Sequence, residues 1–212
     1  MAPESTRLQT AGELASAGRQ VWDAISGWFG RDRDDVQVTL LFTDLCGFSS
    51  WVLEAGDQRA LELLREVAAV VEPCITANQG KVVKRLGDGH MAAFPDATGA
   101  VEAALGMQEA LADLDGAEGR TPGPDGEPRL RAGLHSGHPH RLDGDYLGAD
   151  VNIAARITDA ARAGEVLVSG EVLEDVTAPA LERLEVKRRR AFRARGTPPD
   201  LEVFCVTPRA QG

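Results

Sequence analysis

Residues 36–49, VQVTLLFTDLCGFS, pass within fourteen positions from an apolar, β-branched run to a polar turn. Val36 to Phe42 reads as a buried strand. Asp44 falls just past its expected end, and Gly47-Phe48-Ser49 lie just before a helix. A carboxylate at the end of a strand faces the crevice where ligands collect in open sheets. Gly47 permits close backbone approach, and the amides of Gly47, Phe48 and Ser49 offer donors to phosphate oxygens. An aspartate after a strand serves equally well as a helix cap, so both readings stand at this point.

Working outward, strands and helices alternate. A 3.6-residue period over residues 57–78 predicts a helix with Leu61, Leu64, Val67, Val70 and Val71 turned inward, shortened or kinked at Pro73. Lys81 to Lys84 and Gly89 to Phe94 read as two short strands joined by Leu86-Gly87-Asp88-Gly89. Thr98 to Leu114 reads as a second helix, and 116–128 as a Pro/Gly-rich loop. Leu130 to His135 is a further strand, residues 149–162 a helix, and Glu165 to Ser169 and Leu201 to Val206 later strands. This order predicts an α+β domain with a ferredoxin-like βαββαβ core spanning residues 36–208.

Residues 1–35 differ. Leu14, Val21, Trp22, Ile25, Trp28 and Phe29 recur at helical spacing, ahead of the charged run Arg31-Asp32-Arg33-Asp34-Asp35. They predict an N-terminal helical extension and linker that packs on its own domain or on a second copy, with seating of the two tryptophans on a membrane surface the alternative.

The 33 acidic and 23 basic side chains give a formal net charge of -10, which repels a polyphosphate backbone at long range and argues against a nucleic-acid partner. The run Lys187-Arg188-Arg189-Arg190 then reads as a solvated strand or as intramolecular pairing, with attraction of a triphosphate the next alternative. Three cysteines without a CxxC pair suit a reducing compartment, and no apolar run is long enough to span a bilayer. The expectation is a cytoplasmic protein without a transmembrane segment.

Two further segments carry chemistry. In Lys84-Arg85-Leu86-Gly87-Asp88-Gly89, Asp88 occupies a tight turn from which it can stand beside Asp44, and paired carboxylates suit Mg²⁺. A plain Asp-Gly hairpin turn explains the same residues. In Gly144-Asp145-Tyr146-Leu147-Gly148-Ala149-Asp150-Val151-Asn152-Ile153-Ala154-Ala155-Arg156, the four-residue spacing puts Asn152 and Arg156 on one helix face. Taken by itself, that face is also what a solvated polar stripe looks like.

Together, FTDLCGFSS, KRLGDGHMAAF, LRAGLHSG, GDYLGADVNIAARI and GEVLVSG occur in one order over Val36 to Val206, and the chain resembles the class III nucleotidyl cyclase catalytic domain. The resemblance implies that Asp44 and Asp88 hold two divalent metal ions, Mg²⁺ or Mn²⁺, and that Lys84 and Asp145 read adenine. It implies a ribose-orienting role for Asn152 and a transition-state role for Arg156. Arg195 falls where the family has a lysine that contacts the terminal phosphates. Relatives that make cyclic GMP carry Glu and Cys at the two purine-reading positions, so ATP is the expected substrate and 3′,5′-cyclic AMP the expected product. The alternatives are a silent nucleotide-binding module and a guanylate cyclase. The family builds its site between two subunits. A chain that holds both sets of residues is therefore expected to form a two-fold homodimer.

Overall fold

The structure, a computed structural model, describes residues 36–115, 128–190 and 192–210. The expected N-terminal helix and the loop at 116–127 lie outside the described residues.

The chain runs β1 (Val38–Leu45), α1 (Phe48–Ala55), α2 (Asp57–Ala77), β2 (Lys81–Leu86), β3 (Gly89–Phe94), α3 (Ala97–Asp115) and β4 (Leu130–Gly137). It continues through β5 (His140–Leu142), β6 (Asp145–Leu147), α4 (Ala149–Ala160), β7 (Val166–Ser169), α5 (Gly170–Asp175), α6 (Ala178–Glu182), β8 (Leu184–Arg188) and β9 (Val203–Pro208). Seven strands form one sheet in the order β2-β3-β1-β4-β7-β9-β8, and β5 pairs with β6 alone. The first four strands, with antiparallel β2–β3, β3–β1 and β1–β4 pairings, are the expected split βαβ core. β7 then adds parallel to β4, with β9 and β8 antiparallel beyond it.

The near-continuous hydrophobicity of β1 follows from burial on both faces. Leu41 and Leu45 point into a core made with α2 and α3, while Leu40 and Phe42 join Met91, Ala93 and Ala154 under α4. The same alternation runs along β4. Leu130, Ala132 and Leu134 enter the large core, so Arg131, Gly133 and His135 are left on the side of α4.

The inward stripe of α2 differs from the expected one. Ala60, Leu63, Val67, Val71 and Ile75 are buried, whereas Leu61 is 53% exposed. Two apolar stripes lie side by side on this helix, and only the sheet beneath it selects between them. Pro73 does not shorten the helix, which continues to Ala77. The expected elements otherwise appear with ends displaced by a few residues. The β5–β6 hairpin, α5 and α6 carry too little periodicity to be read in advance.

Candidate active site

Asp44 belongs to β1 itself, because pairing with β4 continues through Leu45↔Leu130. Its even position turns it toward α4. Asp88 stands in the two-residue turn between β2 and β3, closed by the pair Leu86↔Gly89. The turn is drawn tightly against β1: a Cβ on Gly89 would lie 2.0 Å from the Thr43 carbonyl oxygen. The His90 amide donates to Thr43 Oγ1 at 3.0 Å. Glycine at position 89 is thus what lets Asp88 approach Asp44. Burial, and then the neighbouring Asp44 charge, push the Asp88 carboxyl above the usual carboxylate range.

Lys84 reaches its place through an irregularity. The register of β2 shifts between Val82, opposite Ala92, and Lys84, opposite Met91. Unbroken alternation would put Lys84 on the α2 side of the sheet. The extra residue, Val83, turns it to the α4 side, a re-aiming characteristic of β-bulges near sites. There Lys84 Nζ donates to Asp145 Oδ2 at 2.5 Å, at the start of β6. Burial acts to raise the Asp145 carboxyl, but the Lys84 hydrogen bond, the Tyr146 amide and the Lys84 charge together hold it below its ordinary value. Both side chains are more than a third exposed, so the pair adds little stability and is open to an incoming ligand.

Asn152 and Arg156 lie on the exposed face of α4, opposite buried Ile153, Ala154, Ile157 and Thr158. Three β4 residues fix this helix along its length. Near its N-terminus, the Asp150 carboxylate accepts from the His138 amide at 2.8 Å and lies 3.5 Å from His135 Nε2. The His135 ring first, and the His138 amide after it, hold the Asp150 carboxyl below its usual range against the effect of burial. At mid-helix a Cβ on Gly133 would come within 2.3 Å of the Thr158 nitrogen. Near the C-terminus, Arg131 Nη1 donates to the carbonyls of Asp159 at 2.9 Å and Ala161 at 3.4 Å. Arg156 Nη1 in turn donates to Asp159 Oδ2 at 3.1 Å.

Arg131 also donates to Asp44 Oδ2, from Nε at 2.8 Å and Nη2 at 2.5 Å. The stretch LRAGLHSG does not by itself single out this arginine. The available signal was a charged residue inside an otherwise apolar strand; its partner required the register Asp44↔Arg131. Gly47 (φ 77) precedes α1, so the Gly47-Phe48-Ser49 backbone lies at that helix's start, three to five residues after Asp44. Arg195 is exposed in the turn before Gly196, and no described hydrogen bond or ion pair joins it to the other candidates. Three cations of the basic run are paired internally, Lys187 with Glu185, Arg188 with Glu202 and Arg189 with Glu165.

Among the described residues no cluster of three or more His, Cys, Asp or Glu forms a metal cage. Two carboxylates without a cage still fit Mg²⁺, which keeps water and substrate phosphates as its other ligands. A cation bound here would offset the Asp44 charge that, after burial, raises the Asp88 carboxyl. A cleft of about 760 Å³ runs from Asp88 and His90 along Leu61 and Leu64 of α2. Among the described residues, no helix is long and apolar enough to cross a membrane.

This sheet order, with two aspartates converging where β1 meets the β2–β3 turn, defines the class of catalytic domain that the motifs resemble. The chain belongs to the adenylate and guanylate cyclase catalytic-domain family, whose model matches residues 32–207. It is 33% identical over 174 residues to a pH-sensitive adenylate cyclase of Mycobacterium tuberculosis, covering 80% of this chain and 40% of that protein. An adenylate cyclase of Streptomyces coelicolor is 29% identical over 198 residues, 92% of this chain and 48% of that one. The chain thus spans less than half the length of either relative. Among solved structures, the adenylyl cyclase CyaB from P. aeruginosa superposes with a TM-score of 0.69 at 22% identity, over 82% of this chain and 95% of that one. At that identity the likeness speaks for the fold.

Proposed function

We propose that the chain converts ATP to 3′,5′-cyclic AMP and pyrophosphate by attack of the ribose 3′-hydroxyl on the α-phosphorus. The observation that carries this reading is the Lys84–Asp145 pair. A purine inserted at this pair meets one cationic donor and one anionic acceptor side by side. Lys84 donates to adenine N1, and Asp145 accepts from the 6-amino group. Guanine presents a donor at N1 and an acceptor at C6, which leaves both side chains mismatched. Asn152 holds the ribose. Arg156 neutralises charge on the α-phosphate as it develops, a task for which a fixed guanidinium is suited. The Gly47-Phe48-Ser49 amides and Arg195 receive the outer phosphates. Divalent cations held by Asp44 and Asp88 would acidify the attacking hydroxyl and neutralise the leaving pyrophosphate.

The catalytic unit in this reading is 36–208, with residues 1–35 an extension outside it; the family match over 32–207 supports those limits. The working form is a two-fold homodimer in which Asp44 and Asp88 of one protomer face Lys84, Asp145, Asn152 and Arg156 of the other. That one chain carries both sets of candidate residues supports this assembly.

The test is product formation from ATP and from GTP with Mg²⁺ or Mn²⁺, beside Asp44→Ala and the double variant Lys84→Glu, Asp145→Cys. Cyclic AMP is expected from ATP and is lost in Asp44→Ala. In the double variant, ATP turnover should fall by about a hundredfold or more while preference moves toward GTP. No product from folded, dimeric protein would leave a nucleotide-binding module without turnover.

A further inference from the structure

Among the described residues, Arg131 and Asp159 join Asp44 to Arg156 within one protomer. Arg131 sits directly opposite Asp44 on β4 and is 21% exposed. Its Nε and Nη2 both contact Asp44 Oδ2, while Nη1 donates to the Asp159 and Ala161 carbonyls where α4 ends. Those carbonyls belong to the last-turn acceptors that have no partner inside a helix, and a cation there also suits the helix dipole. Arg131 Nη2 lies 3.9 Å from Asp159 Oδ1, and Asp159 Oδ2 accepts from Arg156. A polar chain therefore runs Asp44–Arg131–Asp159–Arg156, hydrogen-bonded at both ends and joined in the middle by the 3.9 Å ion contact. A planar guanidinium with donors on several edges can hold carboxylate and helix end at once; an ammonium cannot match both.

We propose that Arg131 is a positioning residue that couples the Asp44 carboxylate to the C-terminal turn of α4, and through Asp159 to Arg156. The inference rests on the roles assigned above to Asp44 and Arg156. In the two-fold dimer these residues serve different sites, so the same chain links one active site to the other. A change in the load on Asp44 then alters the grip on the helix that presents Arg156 to the second site.

The test is amide hydrogen exchange along residues 157–162, in metal-free, nucleotide-free protein. The variants are Asp44→Ala, Arg131→Lys, Arg131→Gln and the doubles with Asp44→Ala. Asp44→Ala alone should speed exchange at the end of α4 by about tenfold or more, the loss of roughly one hydrogen bond to a charged group. In the Arg131→Lys and Arg131→Gln backgrounds, exchange there should already be raised, and Asp44→Ala should add nothing. The lysine variant retains the positive charge, so it separates bridging from charge neutralisation and covers a failure of the glutamine variant to fold. Equal exchange in wild type and Asp44→Ala would overturn the proposal, as would an undiminished Asp44→Ala effect without Arg131. Neither arm uses nucleotide or metal. A chain that showed the coupling but made no cyclic nucleotide would count against the catalytic reading alone.

Discussion

Asp88 carries a carboxylate that the fold disfavours while no cation is bound. Its folded pKa is raised by burial and by Asp44, so its stabilising contribution is fully present below the unfolded value of about 4 and is lost as pH rises through the folded value. Asp88→Asn should therefore raise the melting temperature of chelator-treated protein at neutral pH, and leave it unchanged at pH 4. The gain should be about 1–2 °C, because partly solvated charges interact weakly. Adding Mg²⁺ or Mn²⁺ should stabilise wild type and not the variant. Thermal unfolding with and without chelator at both pH values checks this; a variant less stable than wild type at neutral pH without metal contradicts it.

At the scale of elements, the sheet sets the site through close approaches rather than through hydrogen bonds alone. Gly133 is the point where α4 comes down on β4. Gly133→Ala forces a methyl group into the Thr158 backbone and should cost about 1–3 kcal/mol, by the general cost of overpacking. Because α4 must lift, Asn152 and Arg156 move with it. Urea unfolding measures the stability loss, and wild-type stability in the variant would mean the helix is seated less tightly than described. The same elements show what the sequence made legible. The β1 run, the hairpin at Gly87-Asp88 and the i, i+4 spacing of Asn152 and Arg156 are local patterns, and each appeared where its period placed it. Three other features need the partner strand. Asp44 pairs inside β1 rather than beyond it, Lys84 owes its face to the bulge at Val83, and Arg131 matters because it stands opposite Asp44. The stripe of α2 was misread for the same reason, since Leu61 and Leu63 compete equally until the sheet chooses between them.

For the whole molecule, the proposed two-fold dimer follows from one chain carrying both sets of candidate residues. Lys84 is bound to Asp145 and Asp44 to Arg131, so each set holds an ion pair within its own protomer. The most direct measurement is complementation between two inactive variants, Asp44→Ala and Arg156→Ala, co-expressed with different tags and assayed for cyclic AMP from ATP. Random pairing makes half of the dimers mixed, and each mixed dimer keeps one intact site of two. The two-fold arrangement thus predicts about a quarter of wild-type activity in the mixture and almost none in either variant alone. A mixture as inactive as its components, beside an active wild type, would place Asp44 and Arg156 in the same protomer's site and contradict the account.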